Sequence, residues 1–282
     1  MKKIIILTLS LVISLTAFIS CGNRSSSQIY IISREEGSGT RGAFSELFGV
    51  VDENGIDAIT GTAEKVTSTA TVISTVIGNK NAIGYISLGS LGDDVKAVDI
   101  DGVSPTTENV REGLYKIVRP FNICYKEGQL SDVAEDFVSF IMSREGQQII
   151  TDKDYIAANT EAESYTAKGL VGKVTLAGST SVSPVMEKLA DAYKKLNPGV
   201  EIEVQQSGSG AGIQAAGAGA CDIGMSSRDL KPSELEILKS VKIADDGIVV
   251  IVNKGNDISS LTSEQVKDIY LGNIKDWSEI GK

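Results

Sequence analysis

Short apolar runs alternate with amphipathic helical patterns along most of the chain, and this alternation predicts an α/β fold built in layers. Runs of strand length, rich in Ile, Val and Tyr, mark the candidate strands. They are Ile29–Ser33, Ala82–Ser87, Val95–Val98, Tyr115–Tyr125, Lys173–Ala177, Glu201–Gln205 and Ile248–Asn253.

Apolar residues at helical spacing predict five helices. In Val66–Ile77 this spacing outweighs the strand preference of its many Thr and Val residues. Thr262 and Gln265 form a capping-box pattern that starts the last helix. The other three are Leu130–Ile141, Arg144–Thr151 and Pro184–Leu196. Ala158–Gly172 is polar and aperiodic, so we predict that it is a linker.

The N-terminus carries the pattern of an export signal. Two lysines precede an apolar run of about 16 residues, which is shorter than the ~20 needed to span a bilayer. Cys21 follows a small residue at the end of this run, which predicts cleavage and lipid attachment at its thiol. An ordinary signal peptide with an incidental cysteine is the alternative. Residues 22–28 are rich in Ser and predict a flexible tether.

Composition excludes several classes of function. The net charge of −10 argues against nucleic acid or an anionic membrane surface as a partner. The chain has no histidine, which removes Ser-His and Cys-His catalysis and the commonest zinc ligand. We therefore expect neither a metal nor another cofactor. Cys124 and Cys221 lie among apolar residues and are predicted to be buried free thiols.

Gly/Ser/Thr-rich segments recur where a predicted strand ends. Three of them precede a predicted helix, and the fourth follows the apolar Asp222–Gly224. The segments are Ser33–Gly42, Gly178–Ser181, Ser207–Gly212 and Met225–Arg228. Any one of these turns could be a simple N-cap.

Together, the segments have the chemistry of an anion site. A helix N-terminus offers unpaired N–H groups and partial positive charge, and Ser and Thr hydroxyls add neutral donors. Arg34 adds a planar cationic fork suited to an oxyanion, although pairing with Glu35 or Glu36 is the alternative role. A dinucleotide site at Gly208–Gly212 is the competing interpretation, but its glycine spacing and the missing downstream acidic residue disfavour it.

Six stretches resemble the phosphate-binding protein family of Pst-type ABC transporters. They read SREEGSGTRGAF, AIGYISLGSL, AGSTSVSPVMEKLADAY, QQSGSGAGIQA, DIGMSSRDLK and VKDIYLGNIKDWSEIG. The resemblance implies a two-lobed periplasmic-binding-protein-like fold of type II character, with a strand hinge and with phosphate held between the lobes. It also implies, as phosphate-binding residues, Arg34, Ser38, Gly39, Thr40, Thr180, Ser181, Ser209 and Ser227.

The order of these stretches differs from the family order, which implies a circularly permuted chain. In the family the AGSTSV half comes first, whereas here it follows the SREEGSGT half. On this interpretation one lobe comprises residues 29–114 and 248–282, and the other comprises residues 115–247. The predicted hinge strands are Tyr115–Tyr125 and Asp245–Val252, and 158–172 would fuse the family's original ends.

One position departs from the family pattern. Some members carry Asp where this chain has Ser227, and that carboxylate accepts the proton of bound hydrogen phosphate. Our hypothesis is that Glu36, a serine hydroxyl or a main-chain carbonyl takes over this role.

The resemblance implies a solute-binding protein that captures inorganic phosphate and delivers it to an ABC transporter permease. It would be extracytoplasmic, monomeric and anchored to the cell membrane through Cys21, with no nucleic acid bound. Two alternatives remain: a binding protein for sulfate, molybdate or another tetrahedral oxyanion, and a phosphate-sensing or adhesive surface lipoprotein. An enzyme acting on phosphate esters is disfavoured because no nucleophile–base pair or metal-ligand cluster is evident.

Overall fold

The computed structural model describes residues 27–281. The predicted signal segment, Cys21 and most of the predicted tether lie outside the described residues. None of the helices within residues 27–281 has both the length and the apolar character needed to cross a membrane.

Strands and helices alternate through the described part of the chain. The strands are β1 (Tyr30–Arg34), β2 (Glu64–Val66), β3 (Ala82–Ser87), β4 (Val95–Ala97), β5 (Asp99–Ile100), β6 (Val118–Tyr125), β7 (Ile156–Ala157), β8 (Val171–Gly178), β9 (Gly199–Gln206), β10 (Ile223–Ser226), β11 (Lys239–Asn253) and β12 (Ser260–Leu261). The helices are α1 (Gly39–Phe48), α2 (Thr69–Gly78), α3 (Thr107–Arg111), α4 (Asp132–Ile141), α5 (Arg144–Thr151), α6 (Ser183–Leu196), α7 (Ser209–Ala218), α8 (Pro232–Leu235) and α9 (Ser263–Leu271).

All five predicted helices are present, and α5 has the predicted bounds. The capping box is confirmed at α9, where the Thr262 hydroxyl accepts from the Gln265 N–H and the Gln265 side chain accepts from the Thr262 N–H. Helix α2 begins three residues later than predicted. Val66 ends β2 instead, and Ser68 caps the helix by accepting a hydrogen bond from the Thr71 N–H.

Two predicted strands start three or more residues away from the observed strands. The predicted strand Tyr115–Tyr125 begins only at Val118, because Tyr115 packs into the core and donates its hydroxyl to the Ile248 carbonyl. The predicted strand Ile248–Asn253 begins nine residues earlier, at Lys239. That added segment is rich in polar residues, and it is a strand because β6 pairs along it.

Strand β11 lies in the middle of one sheet, between β3 and β6. The main strand order of this sheet is β2-β1-β3-β11-β6-β10-β8-β9. Residues 239–247 of β11 pair with β6, and residues 248–252 pair with β3, both antiparallel. Within each outer group, β2-β1-β3 and β10-β8-β9, the strands are parallel to one another. Parallel strands need helical crossovers, and these cover the faces of the sheet.

The hydrophobic core divides where the chain crosses along β6 and β11. The buried residues of one large cluster come from residues 29–117 and 248–270, and those of a second large cluster come from residues 121–244. We call residues 27–117 with 248–281 the first half, and residues 118–247 the second half. A lobe boundary at residue 114 would leave Tyr115 and Ile117 outside the core in which they are buried.

A buried ion pair lies at the crossing between the halves. Arg119 on β6 is the cross-strand partner of Asp246 on β11, and its Nη2 lies 3.0 Å from Asp246 Oδ2. Ser87 of β3 donates to the other carboxylate oxygen at 2.8 Å. Both charged side chains are almost fully buried, so each depends on the other for compensation. The pair therefore ties β6, β11 and β3 together at one point.

The segment predicted to be a linker has no regular structure until β8 begins at Val171. It is nevertheless attached to the second half. Tyr165 donates its hydroxyl to the buried Asp136 carboxylate of α4, which also accepts from Tyr193 of α6. Lys168 places its ammonium 2.7 Å from the same carboxylate. The Asp136 carboxylate therefore holds the segment against two helices.

The two predicted thiols behave as expected. Cys124 and Cys221 are free and buried. Burial is the main cause that raises the pKa of the Cys124 thiol, to about 12. A thiol held in this protonated form is a packing group rather than a nucleophile.

The Asp136 contacts predict an acid-sensitive contribution to stability. Burial alone would raise the pKa of its carboxyl above 3.8, but Lys168, Tyr165 and Tyr193 outweigh burial and hold it lower. The stabilisation is therefore complete above pH 3.8 and is lost as the pH falls through the folded-state pKa. We expect Asp136→Asn to reduce the free energy of unfolding by about 1–3 kcal/mol at neutral pH. Urea denaturation should show this difference shrinking in acid.

Glu135→Gln is the matched control, because Glu135 lies on the same helix and is exposed. Its effect should stay within about 0.5 kcal/mol. An Asp136→Asn difference that is as large in acid as at neutral pH would contradict the prediction.

Candidate anion-binding site

Four helices point their N-termini at the boundary between the two halves. In the first half, α1 follows β1 and begins at Gly39, and α2 follows β2 and begins at Thr69. In the second half, α6 follows β8 and begins at Ser183, and α7 follows β9 and begins at Ser209. Each start lies just beyond the carboxyl end of a parallel strand, where ligands of open α/β sheets bind. The partial positive charges of four helices thus meet in one place.

Hydroxyl groups from both halves form a buried cluster between these helix starts. The Oγ1 of Thr40 lies 3.0 Å from the Oγ of Ser181. The Oγ1 of Thr69 lies 3.3 Å from Thr180 Oγ1 and 3.3 Å from Ser181 Oγ. We call Thr40, Thr69, Thr180 and Ser181 the hydroxyl cluster. Its members hydrogen-bond directly across the boundary, so the halves are closed against each other here.

A second contact brings α1 against α7 and the end of β10. The Ser209 and Ser227 hydroxyl oxygens are 3.2 Å apart, and the Ser227 N–H donates to Ser209 Oγ. A Cβ atom at Gly39 would lie 2.4 Å from Ser209 Oγ and 2.7 Å from Ser227 Oγ, so only glycine permits this approach. Nearby, the Gly210 N–H donates to the Gly37 carbonyl across the same boundary.

Arg34 is buried at the end of β1 and is paired. Its Nε and Nη2 atoms bind both carboxylate oxygens of Glu35, at 2.9 and 2.8 Å, and Nη2 also donates to the Thr67 carbonyl. The guanidinium is only 2% exposed, so this is a buried fork rather than a surface ion pair. Ser38, the remaining predicted residue, caps α1 by accepting from the Arg41 N–H.

Glu36 does not reach the site. Its side chain is 79% exposed and pairs with the Lys65 ammonium at 2.9 Å, which lowers the pKa of the Glu36 carboxyl. The hypothesis that Glu36 accepts the phosphate proton is therefore wrong. The side chain of its neighbour Glu35 lies at the boundary between the halves instead. Its Oε1 atom is 3.2 Å from the position that a Cβ of Gly208 would occupy.

Two features of the site differ from the sequence-based picture. Thr69 was missed because Val66–Ile77 was predicted to be helix throughout, which places Thr69 inside the helix rather than at its N-terminus. Ser227 was placed in a turn like the others, yet no helix starts beside it, since α8 begins only at Pro232. Ser227 instead enters the site through its contact with Ser209.

The assembled groups are suited to holding a small anion without a metal. Hydroxyls and helix N–H groups supply neutral donors, and the buried Arg34 guanidinium is balanced by the carboxylate of Glu35. Among the residues that the structure describes, no group of three or more acidic or cysteine side chains could hold a metal ion. A cavity of about 730 Å³ lies beside the site, between α1 and residues 228–231.

Comparison with known proteins agrees with this architecture. A family model described as a PBP superfamily domain matches residues 22–145 and 161–282. Phosphate-binding protein PstS 2 of Streptococcus pneumoniae is 47% identical over 272 residues, which cover 93% of each chain. PstS of Staphylococcus haemolyticus is 38% identical over 121 residues, covering 40% of this chain and 38% of its own.

A solved structure is similar over nearly its whole length. It is the phosphate-binding protein of a phosphate ABC transporter from Streptococcus pneumoniae, with 48% identity and a TM-score of 0.71, covering 90% of this chain and 99% of that one. The predicted α/β fold of the periplasmic-binding-protein type is confirmed. The chain therefore belongs to the PBP superfamily and, within it, to the family of phosphate-binding proteins of Pst-type ABC transporters.

Proposed function

We propose that this protein captures inorganic phosphate between its two halves and delivers it to the permease of an ABC transporter. The observation that carries the proposal is the convergence of four helix N-termini, two from each half, on buried hydroxyls. Such an arrangement stabilises a small oxyanion through N–H groups, hydroxyls and helix dipoles. The names of the relatives support phosphate as that anion.

Capture would proceed by opening and closing of the halves about β6 and β11. The hydroxyl cluster has donors on both sides of the boundary, so an anion bound by all of them must enter while the halves are apart. Hinge closure of this kind needs only a few residues of the crossing strands to change conformation. The two separate core clusters support treating the halves as lobes. No covalent step is part of this mechanism.

We also propose a location, an oligomeric state and a protein partner for this chain. The predicted signal and Cys21 would place it outside the cytoplasm, anchored to the cell membrane by lipid. A monomer suits delivery, since one site between two lobes is complete within one chain. The transporter named for the relatives supports a permease as the protein partner.

We also infer that the chain is a circular permutation of the usual family order. Residues 27–29 lie beside residues 275–277, with hydrogen bonds from the Ile29 N–H to Lys275 and from the Trp277 N–H to Ser27. A circular permutation requires that the two points at which the chain is cut lie close together in the fold, as these two segments do. The partial match to the staphylococcal protein, set against the near-complete pneumococcal match, supports the same inference.

Titration calorimetry of the form that lacks residues 1–21 tests the function. We expect phosphate to bind with a dissociation constant of about 1 μM or tighter, and sulfate to bind at least about tenfold more weakly. Equal binding of sulfate would favour a general oxyanion carrier. Binding of neither anion would favour a sensing or adhesive role, and turnover of a chromogenic phosphate ester would indicate an enzyme.

Thr69→Val tests the contribution of the residue that the sequence missed. The change keeps the shape of the side chain and removes its hydroxyl, so phosphate affinity should fall about two- to tenfold, the value of one neutral hydrogen bond. Thr75→Val is the control, because the Thr75 hydroxyl bonds only within α2, to the Thr71 carbonyl. Equal affinities for the two variants would remove Thr69 from the site.

A rearranged chain tests the permutation. It would start at Ala167, run to Gly281, continue through a short Gly/Ser linker to Ser27, and end at Thr166. Because both new ends are exposed, we expect it to fold and to bind phosphate within about threefold of the original affinity. A second rearranged chain with a longer linker controls for strain in the linker. Failure of both rearranged chains to fold would contradict the inferred circular permutation.

A further inference from the structure

Glu35 is the acidic side chain that the structure places at the boundary beside the predicted ligands. It follows β1 directly, and its carboxylate is held by the Arg34 fork. Oxygen Oε1 faces Gly208 of the second half, the residue that precedes Ser209. Gly208 has a φ of +86°, and a Cβ there would come within 3.2 Å of that oxygen. The absence of a side chain at Gly208 thus leaves room for the carboxylate next to the α7 N-terminus.

A site made only of donors has no means of preferring hydrogen phosphate to sulfate. At neutral pH sulfate carries no proton, whereas the phosphate dianion carries one P–O–H group that must find an acceptor. An acceptor oxygen facing sulfate instead meets a lone pair, and that mismatch weakens binding. Ser227 is a neutral hydroxyl, and Glu36 lies outside the site beside Lys65. Neither residue supplies a charged acceptor.

We infer that Glu35 accepts the hydrogen bond from the P–O–H group of bound hydrogen phosphate and sets the preference for phosphate over sulfate. This inference rests on the proposed function. Each carboxylate oxygen has two lone-pair positions, and the two bonds from Arg34 occupy one on each oxygen. Oε1 therefore keeps one lone-pair position, and this oxygen lies on the side of the carboxylate that faces Gly208 of the second half. Closure of the halves would therefore bring the anion and this acceptor together.

The Arg34 fork gives Glu35 a fixed position. The guanidinium holds both carboxylate oxygens and is itself buried and bonded to the Thr67 carbonyl, so the acceptor is oriented before the anion arrives. The pair has no net charge. The charge of the anion is then balanced by helix N-termini and neutral donors, and the acceptor contributes selectivity rather than attraction.

Adjacent glutamates provide a matched experiment. Phosphate, arsenate and sulfate would each be titrated into the wild-type protein, Glu35→Gln and Glu36→Gln by calorimetry at neutral pH. Glu35→Gln should weaken phosphate and arsenate about tenfold or more, because both carry a proton, and should leave sulfate unchanged or tighter. Glu36→Gln should match the wild type for all three anions. Thermal unfolding checks that both variants are folded.

Three other results would each overturn the role of Glu35 as the acceptor, and they can be told apart. Equal weakening of all three anions by Glu35→Gln would mean that Glu35 acts only by holding Arg34. An unchanged phosphate-to-sulfate ratio would exclude Glu35 as the acceptor while leaving the proposed function intact. Failure of the wild-type protein to bind phosphate would overturn both. If Glu35→Gln does not fold, Glu35→Asp replaces it, since its retracted carboxylate should also lower the ratio.

Discussion

The site depends on a single strand that belongs to both halves of the molecule. Strand β11 is fifteen residues long and pairs with β6 along one part and with β3 along the other. This shared strand sets the relative position of the two groups of parallel strands, so that β1 and β2 end opposite β8 and β9. The Arg119–Asp246 pair fixes its register to β6 in the middle of the crossing. The convergence of four helix N-termini is a consequence of that register.

Anion binding by an acidic protein then has a local explanation. The chain carries a net charge of −10, yet charges separated by more than about 8 Å are largely screened at physiological ionic strength. The anion would instead experience helix N–H groups and hydroxyls within direct contact. Because Arg34 is paired with Glu35, its buried positive charge does not dominate the site. Affinity and selectivity would then arise from donor and acceptor positions rather than from net attraction.

The circular permutation that we propose would have a physical counterpart in the second half. The segment 158–170 has no regular structure, but it is held to α4 and α6 through the carboxylate of Asp136. A connection that is anchored in this way closes the chain without loosening the half that it crosses. At the opposite side, residues 27–29 lie next to residues 275–277. On the proposed permutation, a break there would remove a surface connection and leave the sheet intact.

The sequence alone determined the features that arise from neighbouring residues. The Thr262–Gln265 capping box, the helix Arg144–Thr151 and the Gly/Ser turns are local, because a cap or a turn satisfies its own backbone groups within a few residues. Even the family could be inferred, since its motifs are continuous stretches.

Only the tertiary structure decided what depends on distant partners. Residues 239–247 form a strand because β6 lies beside them, and Thr69 joins the site because α2 is carried to Thr180 and Ser181. Glu35 and Glu36 are chemically identical and adjacent in the chain, yet one is held by Arg34 at the boundary and the other pairs with Lys65 in solvent. Local pattern cannot separate them, because the difference lies in which groups the fold brings to each side of the turn.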